Sequence, residues 1–194
     1  MTRVAAVDLG TNATRLLVAD VDGSDVRELA RRLEITRLGE GVDERRRLLP
    51  VPIARVRNVL GGYRRVAEEL GAERVLAVAT SSVREADNGE AFLGEIEWSY
   101  GFETRLLSGD EEARLTFRGV SDNGELHPDT LVIDVGGGST ELVQSDWHRS
   151  LDLGCVRLTE RFLHSDPPTA AELDACRAHV RATVNSFTGV IPRK

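Results

Sequence analysis

The chain has 194 residues, of which 41% are hydrophobic and 29% charged, and a formal net charge of −7, a balance that suits a globular protein of one or two domains and excludes a disordered one. The acidic excess argues against broad nucleic-acid or anionic-membrane binding, which takes basic patches, and no apolar run reaches the roughly 20 residues of a membrane span. Cys155 and Cys176, the two cysteines, are too few for a disulfide scaffold or a zinc site.

The N-terminus reads as a strand with an Asp at its end, not as an export signal, so a cytoplasmic enzyme or binding protein is expected. Val4-Ala5-Ala6-Val7-Asp8 is apolar, Leu9-Gly10-Thr11-Asn12 is turn-like, and Arg15-Leu16-Leu17-Val18-Ala19-Asp20 is apolar again, which predicts a hairpin. Residues 25–38 predict a third strand, and 40–51, with Arg45-Arg46-Arg47, a loop or helix start. Ile53, Val56, Leu60, Tyr63, Val66, Ala67 and Leu70 recur at helical spacing from Pro52 to Gly71, although Gly61-Gly62 falls inside. Val75-Leu76-Ala77-Val78-Ala79 is apolar at successive positions and predicts a strand covered on both faces. A helix over 87–100, a strand over 103–107 and a helix from Gly109 follow, the last with Glu111 and Glu112 in its first turn.

Ser121-Asp122-Asn123-Gly124 reads as a linker between domains 1–123 and 124–194. Beyond it Thr130-Leu131-Val132-Ile133-Asp134 opens a second strand–turn–strand. A strand at 151–153, a helix over 155–163, and a capped helix from Thr169-Ala170-Ala171-Glu172 to about 187 complete the chain. Trp98 and Trp147 read as packing residues, the two cysteines as buried thiols, and the four histidines show no metal spacing. Of the 25 Lys and Arg residues only Lys194 is lysine, so chemistry built on lysine is all but excluded.

Residues 4–18 align without a gap on 130–144. Asp8 falls on Asp134, Gly10 on Gly136, Thr14 on Thr140 and Leu16 on Leu142. Each copy is a strand, a terminal Asp, a Gly/Ser/Thr turn and a returning strand. Asp and Gly favour hairpin turns in any protein, but the run Gly136-Gly137-Gly138-Ser139-Thr140 exceeds that need. Glycines let main-chain N–H groups approach an anion closely, and consecutive N–H groups form an anion nest. Thr11, Asn12, Ser139 and Thr140 add side-chain donors, and a neighbouring Asp suits a divalent cation or a water. The turns are neither a Walker A loop, since Gly-Lys-Ser/Thr is absent, nor a dinucleotide fingerprint, since a strand and not a helix follows the glycines. Two such turns facing across a cleft suit one phosphorylated substrate.

Five segments in order resemble the exopolyphosphatase / guanosine pentaphosphate phosphohydrolase family of the actin / sugar kinase / Hsp70 superfamily. They are Asp8-Leu9-Gly10-Thr11-Asn12-Ala13-Thr14-Arg15-Leu16, Ala79-Thr80-Ser81-Ser82-Val83-Arg84, Ser108-Gly109-Asp110-Glu111-Glu112-Ala113, Val132 to Glu141, and Leu153-Gly154-Cys155-Val156-Arg157. The resemblance implies an α/β chain built from a duplicated RNase-H-like (actin-like ATPase) fold, with mixed sheets and helices on both faces. It implies that Glu112 activates the attacking water and that Arg84 contacts phosphate. It implies that Gly10, Thr11, Asn12, Gly136, Gly137, Gly138 and Ser139 bind phosphate, and that Asp8, Asp134 and Glu141 hold Mg²⁺. Inorganic polyphosphate or guanosine pentaphosphate is the implied substrate. Glu111 and Glu112 also suit a helix N-terminus in any protein.

The second domain is expected to be incomplete, because the chain ends near Phe187 to Lys194 without the family's further strands. A half-built sheet leaves an unpaired edge, so pairing with another copy or low stability is expected. Two other readings stay open: an ATP-using kinase or actin-like ATPase of the same superfamily, and a phosphate-binding remnant without turnover.

Overall fold

A computed structural model of the chain describes residues 1–121, 126–127, 130–144 and 147–187. Residues 122–123 and Gly124 of the expected linker, and residues 188–194, lie outside them. The chain divides into two compact units, 1–107 and 108–194.

The first unit opens with an antiparallel meander of β1 (Thr2–Leu9), β2 (Ala13–Asp22) and β3 (Asp25–Ile35). It continues through α1 (Val42–Arg45), α2 (Pro50–Glu69), β4 (Arg74–Ala79), α3 (Ser81–Glu85), α4 (Gly89–Tyr100) and β5 (Glu103–Leu106). The strand order is β3-β2-β1-β4-β5, with β4 parallel to β1 and to β5. Period-two alternation puts Ala5, Val7 and Leu9 on the core face, with Val18, Leu16 and Thr14 opposite them on β2 and Val75, Ala77 and Ala79 on β4. On this face α2 buries Val56, Leu60, Tyr63 and Ala67, and α4 buries Phe92, Leu93 and Ile96. The Tyr63 hydroxyl donates to the Thr14 carbonyl (2.9 Å), so the one polar atom of that side chain is satisfied inside the core.

Three details depart from the sequence expectation. Helix α2 begins at Pro50, two residues early, because prolines fit a first helical turn whose N–H groups have no acceptor. Strand β4 lies inside the sheet but is buried on one face only; Leu76 is 40% exposed, since α2 and α4 both pack on the opposite face. Trp98 is 89% exposed, because α4 turns Phe92, Leu93 and Ile96 inward and Trp98 falls outside that stripe.

The second unit comprises α5 (Gly109–Ser121), β6 (Val132–Val135), β7 (Thr140–Gln144), β8 (Trp147–Leu151), α6 (Cys155–Phe162) and α7 (Ala170–Phe187). Its sheet is antiparallel in the order β6-β7-β8. Helix α5 packs on β7 and β8, which places the division between units ahead of this helix and not at residues 121–124. Strand β8 ends where 151–153 was expected to begin; Leu151 and Leu153 are joined by a tight turn, Leu153 N donating to Leu151 O (2.7 Å). The core is small: Leu142, Leu151 and Leu153, with Leu131, Trp147, Leu158, Val180 and Val184 against them. Cys155 is exposed and Cys176 half-buried, so neither is the buried thiol expected.

Candidate functional site

The two aligned turns have the same construction. Gly10 N donates to Ala13 O (3.1 Å), and Gly136 N donates to Ser139 O (2.9 Å), each to the residue three positions on. A Cβ at Gly10 would lie 2.9 Å from that carbonyl, and one at Gly136 3.1 Å from its counterpart. Neither glycine has positive φ, so close approach requires them and not backbone handedness.

The carbonyls of both turns point into the protein. In the first unit Thr11 O accepts from Gly39 N (2.8 Å), and Asn12 O accepts from Thr36 N (3.1 Å) and Arg37 N (2.9 Å). In the second, Gly136 O accepts from Cys155 N (3.0 Å), and Gly137 O from Val156 N (2.9 Å) and Arg157 N (3.2 Å). The buried Arg157 adds its Nε to Gly138 O (2.8 Å). The first amides of α6, which have no side-chain cap, are therefore satisfied by the carbonyls of the glycine turn. Among the described residues the N–H groups of Thr11, Asn12, Gly137, Gly138 and Ser139 have no protein acceptor. Gly10 and Gly136 contribute the turn itself, and the other five residues supply backbone donors with no protein acceptor, which is what an anion nest requires.

In the first unit Asp8 ends β1 and accepts from Arg15 (2.7 Å), its partner on β2. The buried hydroxyls of Thr11 and Ser81 are 3.0 Å apart and tie the first turn to α3. A five-residue helix shows no periodicity, so α3 was not legible in the sequence. Gly39 is packed so closely that a Cβ there would meet Thr11 Cγ2 at 2.3 Å. Arg84, on α3, donates to Leu107 O (2.5 Å), the residue just before the segment that carries Glu112.

In the second unit Asp134 and Glu141 stand directly opposite each other on β6 and β7. Glu141 is buried and accepts from the Ser150 hydroxyl (2.9 Å), and Asp134 receives the Thr116 hydroxyl of α5 at 3.4 Å. The start of α5 separates the two candidate glutamates. Glu111 closes a capping box with Ser108: its Oε2 accepts from Ser108 N (2.9 Å) and Ser108 Oγ (2.9 Å), and Glu111 N donates back to Ser108 Oγ (3.2 Å). Glu112 is not used in that cap, and its Oε2 is buried. Among the described residues no group of three or more Asp, Glu, His or Cys side chains is placed to hold a metal. Asp134 and Glu141, cross-strand partners, are the two carboxylates that would offer hard oxygen ligands to Mg²⁺, which keeps several waters.

Sequence reasoning assigned no role to residues 36–39, Ser81 or Gly154, and it took the Thr140 hydroxyl as a ligand donor, whereas that hydroxyl donates to Leu153 O. Gly154 abuts the second turn so tightly that a Cβ would lie 2.2 Å from Gly137 O. The Leu-Gly-x-Val-Arg segment was the visible signal for Gly154 and Arg157, and the segment 79–84 for Ser81; nothing local marked residues 36–39.

The sheet order and paired glycine turns define an α/β protein of the RNase-H-like, actin-like class. The model of the Ppx/GppA phosphatase family matches residues 17–192, and the chain belongs to that family. It is 41% identical over 206 aligned residues to exopolyphosphatase 2 of Mycobacterium tuberculosis, covering 99% of this chain and 65% of that protein. The crystal structure of an exopolyphosphatase-like protein superposes with a TM-score of 0.89 at 36% identity, over 96% of this chain and 61% of the other. The Aquifex aeolicus family member superposes with a TM-score of 0.75 at 32% identity, over 96% of this chain and 62% of the other. The chain thus spans a little under two thirds of the length of these relatives. Among the described residues no helix is long and apolar enough to cross a membrane.

Proposed function

We propose that the chain is a phosphoanhydride hydrolase that releases the terminal phosphate of inorganic polyphosphate in the cytoplasm. The observation that carries this reading is the second turn, where the peptide carbonyls of Gly136, Gly137 and Gly138 are all committed to the start of α6 and, among the described residues, the amides of Gly137, Gly138 and Ser139 have no protein acceptor. The similarity to a protein called exopolyphosphatase supports polyphosphate over other phosphate chains. These amides bind the terminal phosphate and stabilise the charge that develops on its oxygens. Glu112, which takes no part in the Ser108–Glu111 cap, takes the proton of the attacking water. Arg84, anchored to Leu107 O, contacts phosphate oxygens through its guanidinium. Asp134 and Glu141 would hold Mg²⁺, which when bound neutralises phosphate charge.

Guanosine pentaphosphate presents the same phosphate terminus and is the second candidate substrate. Phosphate release is measured on long polyphosphate, guanosine pentaphosphate and ATP in parallel, with Mg²⁺ or with chelator. Mg²⁺-dependent release from polyphosphate is expected, with little from ATP. Glu112→Gln is expected to lower kcat on the order of 100-fold or more, while Glu111→Gln keeps most of it. Steady turnover by Glu112→Gln refutes the role given to Glu112. ATP turnover without polyphosphate turnover refutes the substrate assignment.

A further inference from the structure

Among the described residues two non-glycine positions have left-handed backbone, Arg37 (φ 48°) and Arg46 (φ 52°). Such a conformation favours Gly or Asn, and a long side chain there is strained. Arg46 has an internal reason for its side chain. It ends α1, its carbonyl accepts from Asp87 N (2.8 Å), and its guanidinium reaches Glu85 (3.4 Å). Arg37 has none: it is exposed, and among the described residues its guanidinium has no hydrogen bond or ion pair.

The backbone of Arg37 is held firmly beside the first glycine turn. Its N–H donates to Asn12 O (2.9 Å), and the flanking Thr36 N and Gly39 N donate to Asn12 O (3.1 Å) and Thr11 O (2.8 Å). Arg55 buttresses the segment from behind. Its Nε donates to Thr36 O (2.7 Å), and its second nitrogen reaches Arg37 O (3.4 Å) and Glu40 (2.5 Å). The nearby carboxylates are occupied too, Glu40 by Arg55 and Asp8 by Arg15. The result is an uncompensated cation on a preorganised segment stitched to the carbonyls of the same turn whose Thr11 and Asn12 amides have no protein acceptor among the described residues.

We propose that Arg37 is a substrate-binding residue that grips inner phosphates of a polyphosphate chain, next to the phosphate at the first turn, and so sets a preference for long chains. A guanidinium presents paired donors that match two phosphate oxygens. This inference rests on the polyphosphate reading above.

The test uses Arg37→Gly, which suits the left-handed backbone and removes only the cation, beside Arg37→Lys and the remote Arg65→Ala on α2. Phosphate release is followed on tripolyphosphate and on long polyphosphate. Arg37→Gly is expected to raise KM for long polyphosphate about tenfold with kcat within about twofold, and to raise it less for tripolyphosphate. Arg37→Lys restores most of the loss, Arg65→Ala leaves KM unchanged, and Arg37→Gly melts no lower than the parent. An unchanged KM in Arg37→Gly overturns the proposal, and so does an equal rise in Arg65→Ala, which makes the effect one of general charge. If the parent chain releases no phosphate, the hydrolase reading fails and Arg37 is judged by calorimetric titration with long polyphosphate. A Kd raised about tenfold in Arg37→Gly then upholds its role, and an unchanged Kd rejects it.

Discussion

At Gly154 an added methyl would sit 2.2 Å from Gly137 O and 2.4 Å from Gly138 C, and these atoms are backbone that cannot rotate away. Gly154→Ala is therefore expected to cost about 3 kcal/mol or more and to distort the second turn. Gly61 is the opposite case. It lies inside α2 with nothing within 4 Å of the position a Cβ would take, so Gly61→Ala is expected to add about 0.5–1 kcal/mol. Urea midpoints of the two variants, moving in opposite directions, check both. A composition count treats these glycines alike; the difference is set by residues distant in sequence. The same holds at residues 36–39, whose support of the first turn crosses more than twenty positions and leaves no local pattern.

Local devices, by contrast, were plain in the sequence. Thr169 and Glu172 form the expected capping box of α7: Glu172 Oε2 accepts from Thr169 N (2.7 Å) and Oγ1 (2.9 Å), and Oε1 from His164 N (2.9 Å). The Thr169 amide, before the other donors, holds the Glu172 carboxyl down to about 2, against an ordinary 4.5. Asp20 at the end of β2 is likewise held near 2, against 3.8, by Arg3 first and then Arg27. A carboxyl with a depressed folded-state pKa stabilises the fold fully above its unfolded value and loses that contribution as pH falls through the folded value. Stability should thus decline between about pH 5 and pH 2. Glu172→Gln should lower the melting temperature at pH 6 and much less at pH 2; equal losses at both would rule out the cap's ionisation as the cause. The amphipathic period of α2 and the alternation of β1 and β2 were legible for the same reason as the cap, since each depends on near neighbours. Strand β4 misled because an apolar sequence marks what a strand can bury, not what covers it.

At the scale of the molecule the two units differ in how much they bury. The first packs Ala5, Val7, Leu9, Leu16, Val18, Val56, Leu60 and Ile96 in one continuous core, while the second rests on Leu142, Leu151 and Leu153 with a thin surround. Ile133 and Val135 of β6 remain largely exposed. Native-state hydrogen exchange should therefore find the amides of β6–β8 opening at lower free energy than those of β1, β2 and β4; equal protection would show that the second unit draws stability from elsewhere. The duplication was legible as an alignment of Asp8 with Asp134 and Gly10 with Gly136, and it holds at the level of a single shared hydrogen bond.

The inward commitment of the turn carbonyls also bears on how a protein of net charge −7 would attract the polyanion proposed as its substrate. A peptide group is one dipole: when its oxygen accepts a hydrogen bond, electron density is drawn toward that end and the N–H at the other becomes a stronger donor. The peptide planes Gly136–Gly137, Gly137–Gly138 and Gly138–Ser139 are each polarised in this sense, by the first amides of α6 and by the Arg157 guanidinium. The positive pole of a helix and a buried cation are thus relayed through three peptide planes to the N–H groups of Gly137, Gly138 and Ser139.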